Sequence, residues 1–205
     1  DAEPGRLNPL VAPSAWARRI GHGTIFEPLI RYGQPEPSDG AGPTGGRYTP
    51  RLARSWRVMP SQTEIRVELQ PGVTFHDGSA LALDDILWTF ERLRGEGPTA
   101  DLYADITSIE AGEGNSIVFT LAQPNPDFLY NLTDNHAVIL KQGAENIGNE
   151  FNGTGPFRLD EYVTDRAVFS ANADYWGGAP GFGTLEFVYF DSVESAVNAL
   201  EGGVV

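Results

Sequence analysis

YTPRLARSWRVMPSQTEIRVELQPGVTFHDGSALALDDILWTFERL, residues 48–93, decides the fold of this chain. Within it Ile65, Val67 and Leu69 alternate with Glu64, Arg66 and Glu68. A period of two with one wet face predicts a half-buried antiparallel strand over Thr63–Leu69. Pro71-Gly72 then supplies a turn, proline fixing φ and glycine free to take positive φ. Asp77-Gly78 marks a second turn. Beyond it Leu83, Ile86, Leu87 and Phe90 fall at i, i+3, i+4 and i+7, the apolar stripe of a helix. Asp84 and Asp85 stand in the first helical turn, where carboxylates meet the positive end of the helix dipole. Adjacent residues splay about 100° apart on a helix, so the two acids do not flank a substrate bond, and their reading is structural.

Further elements extend outward from this stretch. Ser14 is a candidate helix N-cap ahead of Ala15, Trp16, Arg18 and Arg19. Ile25–Ile30 reads as an exit into extended chain, and Gln34–Gly46, rich in Pro, Gly, Ser and Asp, as loop. Ile106–Glu110 and Ser116–Leu121 predict a hairpin, and Pro126 opens a short helix toward Leu132. His136–Leu140 is a strand candidate. Phe157–Val163 with Ala167–Ala171 predicts a second hairpin, followed by a strand at Leu185–Tyr189. Ser192 caps a last helix carrying Val193, Ala196, Val197 and Leu200.

Composition bounds the function. The 205 residues carry 40% hydrophobic and 11% aromatic side chains, the profile of a folded chain. No run approaches the roughly 18 apolar residues of a membrane span. The formal net charge of −14 argues against a nucleic-acid partner, which needs a basic footprint. Zero cysteines excludes disulfides, thiol catalysis and zinc–thiolate sites. The three histidines, His22, His76 and His136, share no helical spacing, so no metal site is expected; His76 reads as a structural hydrogen-bonding residue in its turn. No nucleophile elbow, zincin motif or P-loop occurs, so neither enzyme activity nor a cofactor is expected. No basic then apolar leader opens the chain, and any signal peptide is expected to have been removed.

The segment 48–93 also resembles the extracytoplasmic solute-binding proteins of peptide, nickel and related ABC importers, family 5. Pro50, Leu52, Ala53, Ser55, Trp56, Gly72, Val73, Phe75, His76, Asp77, Gly78, Asp85 and Phe90 match that family in order. So do Leu7-Asn8-Pro9, Ile25-Phe26-Glu27-Pro28-Leu29, Gly153-Thr154-Gly155-Pro156-Phe157, Asn172 to Pro180, and Phe190–Gly203. Threonine usual in the family is replaced by Ala82, and loss of its cap is expected to cost about 1 kcal/mol.

The resemblance implies an α/β architecture with mixed sheet: lobe I of a two-lobed periplasmic-binding-protein-like fold, with a small extra subdomain. It implies that residues 1–26 and 147–205 belong to lobe I and that 27–146 form the peripheral α+β subdomain. Family members are more than twice this length, so the chain is expected to be a fragment without the second lobe. The implied function is capture of a small solute, a peptide or one of similar size, between two lobes for delivery to ABC permease subunits. The implied setting is periplasmic or extracellular, free or lipid-anchored, with a monomer at full length. Ser14, Trp16, Tyr103, Asn135, His136, Thr154 and Gly155 are the residues expected near the cleft. Exposed aromatics suit such a cleft, but for Trp16 and Tyr103 core packing is an equal reading. A ligand-sensing module of a regulatory protein is the alternative function.

Overall fold

The computed structural model describes residues 20–33, 48–95, 99–145 and 151–203. Its centre is the alternating stretch. Strand β4 (Glu64–Leu69) follows β3 (Ala53–Val58) and lies in a four-stranded antiparallel sheet with β5 (Ile106–Ala111) and β6 (Ser116–Leu121), in the order β3-β4-β6-β5. Ile65 stands opposite Phe119 and Val67 opposite Ile117, so one face of the two inner strands is apolar and dry. Helix α1 (Leu83–Gly95) turns its stripe onto that face, burying Ile86, Phe90 and Leu93. Phe90 meets Phe119 edge to face at 5.1 Å and Tyr103 at 5.5 Å, and Phe119 meets Phe128 of the short helix α2 (Phe128–Asn131) at 5.4 Å. Each such ring buried contributes about 1.5–3 kcal/mol from its apolar area alone.

The first turn of α1 shows what its two acids do. Asp84 is exposed, whereas Asp85 is 1% exposed. One Asp85 oxygen accepts the Ala82 N–H at 2.8 Å, the backward half of a capping box, and the other accepts the Gln142 N–H at 2.8 Å. Lys141 Nζ lies 3.4 Å from the same carboxylate and 5.0 Å over the Phe75 ring. One side chain thus caps the helix and fastens it to a distant segment.

That segment corrects one expectation. His136–Leu140 is deeply buried but forms no strand; only Val138 bridges, to Pro28. Proline has no N–H to donate, so the ladder does not propagate. The remaining backbone groups are met otherwise: Ile139 N–H by the Glu27 carbonyl at 2.9 Å, Leu140 N–H by Thr89 Oγ1 at 3.0 Å.

Outside the large sheet, β1 (Ile30–Tyr32) pairs with β2 (Tyr48–Pro50). Strands β7 (Phe157–Val163), β8 (Arg166–Ala171) and β9 (Thr184–Val188) form a three-stranded antiparallel sheet whose middle strand buries Ala167 and Phe169. Every pairing between the strands described is antiparallel, and an isolated bridge between His22 and Phe26 is parallel. One contiguous apolar cluster runs from Ile20 through the large sheet to Phe169, so the smaller sheet is packed rather than tethered. Helix α3 (Val193–Glu201) starts at Ser192, whose Oγ accepts the Ser195 N–H at 3.0 Å, and none of its residues is buried.

Candidate functional site

Two backbone segments touch at the heart of the site. The chain reverses at Gly23, where φ is +83°, and the N–H groups of Ile25 and Phe26 both reach the Gly21 carbonyl. This turn presents the Thr24 and Ile25 carbonyls to the loop 153–157, which donates Gly155 N–H to Ile25 O at 2.8 Å and Phe157 N–H to Thr24 O at 3.0 Å. The contact is so close that a Cβ on Gly153 would land on the Ile25 carbonyl oxygen, and one on Gly155 on that of Thr24. Glycine is demanded at both positions by the neighbouring backbone. Between them Thr154, fully buried, points the other way and donates its hydroxyl to Glu27 Oε2 at 3.0 Å.

Glu27 is the hub of this arrangement. It is 1% exposed and accepts three neutral donors: Thr154, the Tyr175 hydroxyl on Oε1 at 2.7 Å, and the Trp176 indole N–H on Oε2 at 2.9 Å. Burial pushes its pKa above the ordinary carboxylate value, while the three donors, with the Arg51 charge, pull it back. Asn172, the residue that opens the Tyr-Trp loop, is pinned by Nδ2 to the Gly155 carbonyl at 3.3 Å and by its N–H to the Pro156 carbonyl at 2.8 Å. The G-T-G-P-F and N-x-x-Y-W stretches are therefore two halves of one enclosure around a buried acid.

The F-H-D-G turn braces the enclosure from behind. His76 Nε2 donates to the Gly155 carbonyl at 2.9 Å, and Nδ1 lies 3.3 Å from the Phe151 carbonyl. Burial holds this imidazole below its usual pKa against the pull of both carbonyls. Asp77 and Asn152 exchange two hydrogen bonds, at 3.1 and 2.9 Å. Its Ser79 partners outweigh a little desolvation and hold the Asp77 carboxyl below its ordinary range.

Above Glu27 a cavity of about 620 Å³ opens, bordered by His22, Arg31, Arg51, Gln70 and Trp176. Burial lowers the pKa of His22 to about 4, so its ring is neutral near pH 7.

Of the residues expected near a cleft, Ser14 and Trp16 lie outside the described residues. Thr154 and Gly155 are brought together at Glu27. Tyr103 is fully buried, edge to face with Phe90, with its hydroxyl donating to the Asn131 carbonyl at 2.8 Å; its surface is spent on the core. Asn135 is exposed beside His136, whose Nδ1 is 2.8 Å from Asp134 Oδ1. Neither Asn135 nor His136 is among the residues bordering the cavity. Sequence reasoning did not single out Glu27. Its signal was an acid inside the apolar run Ile25-Phe26-Glu27-Pro28-Leu29, which has to be buried and therefore supplied with donors.

Comparison with known proteins fits this architecture. The whole chain superposes, with a TM-score of 0.84 and 26% identity, on 41% of the solute-binding protein AgaA of A. tumefaciens R10, solved with agropinic acid. A provisionally named ABC transporter peptide-binding protein of Brucella ovis is 30% identical over 98% of this chain and 38% of its own length. The oligopeptide-binding protein AppA of Bacillus subtilis is 28% identical over 74% of this chain and 31% of its own length. The sequence profile of the bacterial extracellular solute-binding proteins, family 5 Middle, matches residues 47–205. This chain belongs to the bacterial extracellular solute-binding proteins, family 5. It spans well under half the length of each of these relatives.

Proposed function

We propose that the chain forms part of the solute receptor of an ABC importer, taking peptides or solutes of similar size. The observation that carries this reading is the agreement of the entire chain with proteins of that class, in sequence and in fold. In it, residues 1–26 and 147–205 contribute to lobe I, 27–146 form its peripheral subdomain, and a second lobe beyond these 205 residues completes the ligand cleft. Solute bridging two lobes shifts the population toward a closed form, which docks on the membrane permease. The setting is outside the cytoplasm, and no described helix is long and apolar enough to cross a membrane. Ser14, Trp16, Asn135 and His136 remain the proposed cleft-facing residues; Thr154 and Gly155 serve by fixing the loop beneath it.

Calorimetry with di- to nonapeptides tests the proposal on the natural gene product and on this chain. The natural product is expected to bind saturably and this chain weakly or not at all, because half the contacts and the enclosure are missing. Tight binding by this chain alone would sink the two-lobe mechanism. Indifference of the natural product to every peptide would sink the ligand class.

A further inference from the structure

Two side chains clamp the Gly153 loop to the F-H-D-G turn, and each stands immediately before a glycine. Asn152 Oδ1 accepts the Asp77 N–H at 3.1 Å, and Asn152 Nδ2 donates to Asp77 Oδ2 at 2.9 Å. Asp77 is exposed and Asn152 half-buried, so water reaches the clamp. Asn152 is the only asparagine of the chain that a glycine follows. That succession is the one most open to intramolecular attack, because no side chain shields the next backbone nitrogen. Here the fold demands the glycine: a Cβ on Gly153 would land on the Ile25 carbonyl oxygen. The contact that shapes the Glu27 enclosure thus places a reactive pair beside it. In the folded chain both reacting groups are held. The Asn152 amide is drawn toward Asp77 by its oxygen and nitrogen together, and the Gly153 N–H is donated to the Phe151 carbonyl at 3.1 Å. Asp77, ahead of Gly78, resists the same attack. Its carboxylate, which accepts the Ser79 N–H at 2.8 Å and hydroxyl at 2.6 Å, is a poor electrophile.

We propose that Asn152 is a deamidation site guarded by Asp77, and that its conversion releases the Gly153 loop for good. The Gly153 nitrogen, freed from Phe151, bonds to Asn152 Cγ. The Cγ–Nδ2 bond breaks, and the amide leaves as ammonia with the Gly153 proton. Water then opens the resulting succinimide, at Cγ to give aspartate or at the main-chain carbonyl to give isoaspartate. Neither step is a redox change. Either product sets a second carboxylate against that of Asp77, where a donor stood before. Isoaspartate also lengthens the backbone by one methylene directly before the contact of Gly153 with Ile25, which has no room for it. A loop that opens long enough to react therefore cannot close again as it was. The inference does not rest on the importer reading, because the clamp and both reacting groups belong to this chain.

The test follows aspartate and isoaspartate at Asn152 by peptide mapping and mass spectrometry, in the 205-residue chain held at pH 8. The site is expected to react in guanidinium chloride, and at least about tenfold more slowly in the native chain, where local opening limits it. Asp77→Ala removes the guard and is expected to speed the native reaction about tenfold, the worth of one hydrogen bond to a charged group. Asn115, before Ser116 in the turn between β5 and β6, is expected to keep its parent rate in that variant. His76 reports on the loop independently, because its ring meets the Phe151 and Gly155 carbonyls. Asn152→Asp is expected to move the His76 ring resonances and leave those of His136 in place. Refolding after longer times in guanidinium chloride is expected to lose the parent His76 signal in step with deamidation. The proposal is overturned if Asn152 stays intact in guanidinium chloride, or if native and unfolded chains react alike. It is also overturned if Asp77→Ala leaves the rate unchanged or raises that of Asn115 equally, or if Asn152→Asp keeps the parent His76 resonances.

Discussion

His22 and Glu27, close neighbours at one cavity, respond to acid in opposite senses. His22 titrates near 4 in the fold against 6.5 in an open chain. The unfolded state therefore binds more protons in that window. Stability from His22 is full above pH 6.5 and is lost as pH falls toward 4, by about 3 kcal/mol in all. His76, also lowered, adds to the loss. Glu27 is raised, so the cost of burying its charge is relieved as pH falls through its folded value. Urea unfolding at pH 7 and pH 4.5 should show the histidines winning, with lower stability in acid and a shallower dependence in His22→Gln; an unchanged slope in that variant would remove His22 from the account. The glycines make a second prediction. Gly155→Ala should cost about 2–3 kcal/mol, since its methyl meets a backbone carbonyl that cannot swing aside. A stability within 0.5 kcal/mol of the parent, roughly a surface-substitution effect, would mean that the loop can retreat.

Among the elements, those with a strong period were legible from sequence: β4 from Ile65, Val67 and Leu69, α1 from Leu83, Ile86, Leu87 and Phe90, and both hairpins. The apolar run His136–Leu140 misled because periodicity registers burial, not hydrogen-bond partners, and its partners proved to be the Thr89 hydroxyl and the Glu27–Pro28 backbone. Strands β1 and β2 have three residues each, too few to show any period. At the site, the G-T-G-P-F loop was legible as a motif, but not the close backbone approach that explains it. Tyr103 shows the limit for aromatics: the same ring suits a core or a cleft, and only Phe90 and the Asn131 carbonyl decide. The paired acids of α1 yield the element-level prediction. Asp85→Ala should lose about 2–3 kcal/mol by removing a buried carboxylate that holds two part-buried N–H groups, while Asp84→Ala should stay within about 0.5 kcal/mol. Equal effects of the two in thermal unfolding would refute the assigned division of labour.

Taken together, the elements are unequally anchored. Strands β4 and β6 lie inside the large sheet under α1, whereas α3 buries nothing and leaves Val193 82% and Leu200 67% exposed. A helix of nine residues is marginal on its own propensity. Hydrogen exchange should therefore find α3 nearly unprotected while β4 and β6 exchange only through global opening; protection of α3 equal to that of β4 would show a partner for its apolar stripe. Between these extremes sits the junction of Asp85 with Lys141 and Gln142. Lys141 is the only lysine in the chain, so a lysine-specific protease has a single bond to cut, Lys141–Gln142. The amide of that bond is the one Asp85 holds. Scission needs this amide drawn into an extended strand, so each cut records one release of α1 from its anchor. The chain thus carries its own clock for local opening, read from the appearance of two bands.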